Sequence, residues 1–155
     1  MKELESRINE TIRTILGDKL TAIILFGSSV YMGYSREVDI LILIDNLADF
    51  NEKIELEGRI KKSLNRLFNY DVVFDINVLD LKQFDENLET GSFLSGLALG
   101  YKIIYDRIGI EEKIIKMLKK LSKSRYVLVN KYGEWNLSRI AEIKLRTKQK
   151  NIEQL

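Results

Sequence analysis

Short apolar runs alternate with segments of helical periodicity along this chain of 155 residues, and this alternation constrains its fold more than any other feature. Strands are predicted for residues 22–26, 38–44, 71–79, 102–105 and 126–129. Helices are predicted for residues 4–16, 50–67, 81–99 with a break near Gly91, 110–121 and 136–150. We therefore expect an α+β fold in which helices flank a small mixed sheet of three to five strands.

The predicted strands at residues 38–44 and 71–79 each have one apolar face and one face that carries acidic residues. Side chains alternate between the two faces of a strand, so residues two positions apart lie together. The apolar faces are predicted to form the core, and their members are Ile40, Ile42, Ile44, Phe74 and Ile76.

The composition removes several classes of chemistry. The chain contains no cysteine, histidine or proline, which excludes disulfide scaffolds, cysteine nucleophiles, Ser-His-Asp triads and histidine-ligated metals. Any reaction must therefore use carboxylates, hydroxyls, amines and the backbone. The charged N-terminus predicts no signal peptide, and no apolar run approaches the ~20 residues of a membrane span. We expect a cytoplasmic protein that does not contact a membrane.

Charge divides the chain into an acidic front and a basic end. Residues 1–106 hold 12 Lys and Arg against 18 Asp and Glu, a net charge of −6, whereas residues 107–155 hold 13 against 5, a net charge of +8. We expect a domain at residues 1–106 and a basic, mainly helical C-terminal extension at residues 107–155. The extension could bind nucleic acid or an acidic partner protein, or its charge could pair with the acidic front half of its own fold.

The turn after the first predicted strand is a candidate phosphate site. The strand ends in Gly27-Ser28-Ser29, where a helix is expected to begin, and backbone N–H groups at such a point suit a phosphate. No Gly-Lys-Ser/Thr follows, so this is not a Walker A loop. The alternative is a simple turn with a helix cap.

Carboxylates on the next two strands could serve the same site. Asp39 opens one strand and Asp75 lies on the other, with Asp71 on the same face. Asp residues are disfavoured in strands, and carboxylates facing a triphosphate could hold Mg²⁺. The alternative for each is a strand-end Asp that reaches solvent or caps a helix, and it is the better interpretation for Asp45 and Asp71.

These features together resemble the minimal nucleotidyltransferases of the DNA polymerase β-like superfamily. Residues 25–28 (Leu-Phe-Gly-Ser) match the family's first motif, Asp39 matches the first Asp of its Asp-x-Asp pair, and Asp75 matches its third Asp. Residues 100–106 are similar to a further family segment. The resemblance implies a nucleotidyltransferase-like fold that binds a nucleoside triphosphate through Gly27, Ser28 and Ser29, with Asp39 and Asp75 as catalytic residues and Mg²⁺ or Mn²⁺ as cofactor.

One departure affects the implied metal site. Leu41 stands where the family has its second Asp, so one of the carboxylates that hold two metal ions is missing. Glu37 lies on the same face as Asp39 and could substitute, which gives Asp39, Asp75 and Glu37 as the predicted metal ligands. Leu41→Asp is expected to strengthen binding of Mg²⁺-nucleotide.

Two functions follow. The first is transfer of a nucleoside monophosphate from a metal-bound nucleoside triphosphate to a hydroxyl acceptor, with activity impaired by Leu41. The second is an inactive module with the same fold that binds nucleic acid or a partner protein. The resemblance also implies a helical partner protein, with this chain as its antitoxin.

Overall fold

The structure of the protein is a computed structural model that describes residues 2–31, 36–89, 93–130 and 133–153. Its α-helices are α1 (Lys2–Leu16), α2 (Ser28–Tyr31), α3 (Phe50–Leu67), α4 (Leu81–Glu86), α5 (Glu111–Ser122) and α6 (Leu137–Glu153), with 3-10 helices at Gly17–Lys19 and Phe93–Leu99. Its strands are β1 (Leu20–Phe26), β2 (Glu37–Ile44), β3 (Val73–Asp80), β4 (Tyr101–Asp106), β5 (Val127–Asn130) and β6 (Gly133–Asn136). Among the helices of these described ranges, none combines the length and the hydrophobicity that a transmembrane span requires.

Strands β1 to β4 form a mixed sheet in the order β3-β2-β1-β4. β1 runs antiparallel to both β2 and β4, whereas β2 and β3 are parallel. The parallel pair needs a crossover, which α3 provides. Asp49 caps α3 by accepting a hydrogen bond from the backbone N–H of Glu52 at 2.8 Å. The predicted α+β class, with helices flanking a small mixed sheet, is confirmed.

Helices α1 and α3 cover one face of the sheet and enclose the first of two apolar cores. All five predicted core residues lie in it, and none is more than 9% exposed. The alternation of apolar residues in β2 and β3 therefore identified the face that α1 and α3 cover.

Ile42→Ala is expected to lower the free energy of unfolding by about 2–5 kcal/mol, because Ile42 is completely buried in this core. Urea denaturation of the wild type and of Ile42→Ala measures the difference in the free energy of unfolding. Ile143→Ala is the matched control, since Ile143 on α6 is 48% exposed and should lose little. Equal losses in the two variants would contradict the assignment of Ile42 to the core.

The second face of the sheet is covered by the 3-10 helix at Phe93–Leu99 together with α5 and α6. Leu41 and Leu43 of β2 share one buried cluster with Ile114 and Leu118 of α5 and with Leu137 of α6. Trp135 packs against the same cluster. The basic C-terminal segment thus completes the core of the sheet, and its treatment as a separate extension stays a prediction.

The structure differs from the predicted elements in two places. A hairpin of β5 and β6 replaces the single short strand predicted at residues 126–129, because the four residues of β6 are too few and too polar to show a strand pattern. The predicted helix at 81–99 is instead the short helix α4, which ends at Glu86, and the 3-10 helix, which begins at Phe93; a break was predicted near Gly91. Gly91 itself lies outside the described residues.

Candidate functional site

The turn at Gly27 joins β1 to α2. Gly27 has a φ of 76°, in the left-handed region that glycine adopts without steric cost, and α2 begins at the next residue. The backbone N–H of Val30 donates to the carbonyl oxygen of Gly27 at 3.0 Å, which closes the turn. The predicted succession of strand, tight turn and helix is present.

Two serines, Ser28 and Ser29, follow Gly27 in the turn, and the structure describes the side chain of Ser29. Ser29 is buried, and its hydroxyl donates to the carbonyl oxygen of Phe26 at 3.5 Å. The side chain of Ser28 lies outside the described part of the chain. Nucleotide binding by either hydroxyl stays a prediction.

The carboxylate of Asp39 lies directly against Gly27. A Cβ atom added to Gly27 would stand 2.0 Å from Asp39 Oδ2 and 2.8 Å from Asp39 Cγ, far inside van der Waals contact. Position 27 therefore requires glycine for two independent reasons, the backbone angle and the neighbouring carboxylate. The fold thus brings together two residues that the sequence placed in one site.

Asp75 of β3 is the register neighbour of Asp39 on the adjacent strand. Asp39 is in register with Phe26 on one side and with Asp75 on the other, and residues in register on adjacent strands point to the same face. Asp75 is exposed, as is Glu37, which lies two residues before Asp39 on β2. The turn, Asp39 and Asp75 therefore share one end of one sheet face.

The donor set fits one Mg²⁺ ion better than two. Mg²⁺ commonly takes one or two protein carboxylates and completes its shell with phosphates and water, which Asp39 and Asp75 could serve. Within the described ranges, no group of three or more His, Cys, Asp and Glu side chains is arranged to hold a metal. The role of Glu37 as a third ligand stays a prediction.

Leu41, which stands where the family resemblance implies a second Asp, is completely buried in the second core. Its register neighbour on β3 is Asn77, whose amide oxygen accepts a hydrogen bond from Lys53 Nζ at 2.9 Å. Position 41 therefore supplies an apolar contact in the core and no oxygen ligand.

A polar cluster lies on the other side of Phe26 from Asp39, and the sequence analysis did not single it out. Tyr101 of β4 is in register with Phe26, and its hydroxyl donates to Glu111 Oε1 at 3.1 Å. Lys148 of α6 also donates to Glu111, and Lys144 lies one helical turn earlier. Burial raises the pKa of Tyr101, and the hydrogen bond from Lys148 lowers the pKa of Glu111. The sequence signal was the pair of lysines four apart, which identifies one helix face without saying what that face covers.

Comparison with known proteins identifies the fold. No protein-family model matches the chain. A protein of Methanocaldococcus jannaschii that is provisionally named a protein adenylyltransferase is 28% identical over 127 residues, which cover 79% of this chain and 84% of that protein.

Two solved structures share the arrangement of elements. One chain of a Shewanella oneidensis complex, described as a tri-AMPylated HEPN toxin with MNT antitoxin, superposes with a TM-score of 0.50 and 19% identity, covering 77% of this chain and 84% of that one. A toxin–antitoxin structure with AMP-PNP gives a TM-score of 0.50 and 19% identity, covering 75% and 85% of the two chains. At this identity the likeness establishes the fold.

Proposed function

We propose that this chain, a nucleotidyltransferase-like protein that resembles the minimal nucleotidyltransferases, binds a metal-bound nucleoside triphosphate at the Gly27 turn and transfers its nucleoside monophosphate to a hydroxyl group. The observation that carries the proposal is the contact of the Asp39 carboxylate with Gly27, beside Asp75 in register. A phosphate can approach the backbone closely only where no side chain intervenes, and a carboxylate at that point would repel it unless a cation lies between them.

In the proposed reaction the acceptor oxygen forms a bond to the α-phosphorus while the bond to the bridging oxygen breaks, and pyrophosphate leaves. Mg²⁺, when bound, would neutralise charge on the phosphates. Asp39 and Asp75 would orient that ion through their oxygens. Asp75 is the more exposed of the two and would accept the proton that the acceptor hydroxyl loses. Such transfer depends mainly on positioning and electrostatics, so a small set of groups can support it.

The proposed nucleotide is ATP and the proposed acceptor is a hydroxyl of a partner protein. The name of the Methanocaldococcus relative supports both choices, since it specifies adenylyl transfer to protein. The Shewanella complex pairs an AMPylated toxin with its antitoxin, which supports an antitoxin-like role for this chain with a toxin as its partner. In this proposal the chain would modify that partner.

The second candidate is a nucleotide-binding module without catalysis. Buried Leu41 favours it, because an apolar core contact replaces a metal ligand on which the two-metal mechanism depends. In that case the protein would bind a partner protein without modifying it.

Asp39→Asn is expected to abolish binding of ATP in the presence of Mg²⁺, because the amide leaves the cation with one fewer charged ligand. Isothermal titration calorimetry with ATP and with GTP measures this. Asp18→Asn is the matched control, since Asp18 is an exposed carboxyl in the 3-10 helix before β1, at the opposite end of that strand.

The outcomes separate the candidates. Metal-dependent binding that is lost only in Asp39→Asn supports the site, and transfer of labelled AMP to a partner then distinguishes the enzyme from the module. Equal binding by wild type and Asp39→Asn would overturn the proposed site. If folded wild-type protein binds neither ATP nor GTP, both candidate functions are rejected, because each requires nucleotide binding.

A further inference from the structure

We propose that the exposed side of α5, together with a groove between the end of α5 and the start of α6, binds a single-stranded nucleic acid through its phosphates. The proposal is independent of the nucleotide site, because none of its residues lies at the Gly27 turn or on β2 and β3. It assigns a partner to the basic C-terminal segment, for which the sequence allowed several.

The first observation is that α5 has two opposite faces. The residues that point into the second core are buried and recur at helical spacing: Ile114, Met117, Leu118 and Leu121. Four exposed lysines recur at the same spacing, and we call them the basic face of α5: Lys116, Lys119, Lys120 and Lys123, the last being the C-cap. At about 100° per residue, the basic face lies directly opposite the buried one.

The second observation is that the charges of the basic face are not paired within the protein. Arg107 pairs with Asp45 at 2.8 Å and Lys113 with Asp85 at 2.7 Å, so the start of the basic segment does pair with the acidic front half of the chain. From Lys113 to Arg125 the sequence holds six cations and no carboxylate. The lysines of the basic face and exposed Arg125 form no ion pair with any residue that the structure describes.

This arrangement is unfavourable for the isolated protein. Lys116 and Lys123 each have Lys119 and Lys120 at three or four positions along the helix, and like charges at these spacings destabilise a helix. One or two cations in the last turn would be enough to interact with the helix dipole. A polyanion bound across the basic face would offset the repulsion, because each lysine would gain an opposite charge beside it.

The third observation is a groove of about 400 Å³ that continues the basic face beyond the end of α5. Arg125 lines it directly after α5, and Arg139 lines it from α6. The carboxylate in its lining is that of Glu142, which pairs with Arg139 at 3.1 Å and also with Arg146. Its charge is therefore compensated, and Arg125 adds a positive charge to the groove.

The groove favours a nucleic acid over an acidic peptide as the occupant. Beside the arginines it contains Ser124, Asn136 and Ser138, together with half-buried Tyr126. Side chains of these types commonly bind phosphate and sugar in protein–DNA complexes. An acidic peptide would need only the cations and would leave these groups unused.

A single strand fits this surface better than a duplex. The basic face extends about 10 Å along the axis of α5, from Lys116 to Lys123, and the groove lies beyond it. A single strand can bend from the basic face into the groove. Duplex DNA has a persistence length of about 50 nm and would stay straight over this distance.

The test measures binding of a fluorescein-labelled oligouridine of about 20 nucleotides to the full chain by fluorescence anisotropy. Five phosphate contacts, from the basic face and Arg125, predict that the affinity falls roughly hundredfold between about 50 and about 200 mM salt. Duplex DNA of the same length should bind more weakly.

Lys119→Gln combined with Lys120→Gln removes two of the five contacts, so the fall in affinity over the same range should shrink to roughly twentyfold. Glutamine has nearly the helix propensity of lysine, so α5 should stay intact. Lys61→Gln combined with Lys62→Gln is the matched control, since these adjacent lysines are exposed on α3, which covers the other face of the sheet. The control changes the net charge equally and should leave the salt dependence as in wild type.

Several outcomes would overturn the proposal. Binding that is independent of salt, or the same salt dependence in both double variants, would show that the basic face does not contact phosphates. Tighter binding of duplex DNA, or no binding at about 50 mM salt, would reject a single strand as the occupant. Polyglutamate that displaces the labelled strand as effectively as unlabelled oligouridine would show a surface for acidic proteins instead.

Discussion

Gly27→Ala is expected to abolish nucleotide binding and to lower the free energy of unfolding by about 2–5 kcal/mol. The left-handed backbone angle costs about 1–2 kcal/mol for a residue with a Cβ atom. The contact with Asp39 adds about 1–3 kcal/mol, because a Cβ atom would overlap the carboxylate and either the turn or Asp39 must move. Both movements separate the carboxylate from the backbone that we propose binds phosphate. Calorimetry with Mg²⁺-ATP and urea denaturation measure the two effects.

Gly109→Ala is a closely matched control. Gly109 has a φ of 75°, almost the angle of Gly27, but an added Cβ atom would meet nothing within 4 Å. This variant should lose only the conformational part, about 1–2 kcal/mol, and should bind nucleotide as wild type does. Equal losses in the two variants would show that the contact between Gly27 and Asp39 contributes no constraint.

A second substitution isolates the steric term. Adding Asp39→Ala to Gly27→Ala removes the two atoms that the new Cβ atom would approach most closely. The double variant should therefore be more stable than the sum of the single effects predicts, while binding stays absent. Strict additivity would contradict the geometry of the turn.

Leu41→Asp is expected to lower the free energy of unfolding by about 3–5 kcal/mol, because it places a carboxyl group without a partner in the second core. The expectation from sequence was stronger binding of Mg²⁺-nucleotide, and burial of Leu41 adds a cost that the sequence did not reveal. The gain in binding should appear as partial recovery of this lost stability, since a ligand that binds the folded state raises its stability.

Leu43→Asp supplies the comparison. Leu43 is also completely buried, on the same strand and in the same core cluster. It lies two residues farther along β2 from Asp39 than Leu41 does. Both variants should melt at lower temperature than wild type. Saturating Mg²⁺-ATP should raise the melting temperature of Leu41→Asp more than that of Leu43→Asp. The same shift in both would show that position 41 does not reach the ligand.

Some relationships in the site could be predicted because they depend on local geometry. Alternation along β2 requires that Asp39 and Leu41 share a face opposite Ile40 and Ile42, whatever the strand pairs with. A glycine that follows a buried strand and precedes a helix predicts a tight turn. The motif spacing then related Gly27 to Asp39 through the family resemblance, and the antiparallel pairing of β1 with β2 brings them into contact.

Other relationships could not be predicted because they depend on distant parts of the chain. The pattern of β2 does not reveal whether the face of Leu41 is open or covered, since that depends on where α5 and α6 pack. The basic segment was predicted as an extension from its charge, but its apolar residues bury the second face of the sheet. The net charge of a segment can be counted from its own residues, whereas the burial of its side chains depends on which other elements pack against it.

The sequence by itself determined strands β1 to β5, the faces of β2 and β3, the turn at Gly27 and the acidic residues beside it, because periods of two and 3.6 residues are local properties of the backbone. Only the tertiary structure decided that Leu41 is core and that Lys144 and Lys148 share a cavity with Tyr101. Those facts follow from the pairing of β4 with β1 and from the packing of α6 back onto the sheet. Contacts between residues more than 40 positions apart are fixed by the packing of whole elements, and no short stretch of sequence contains that information.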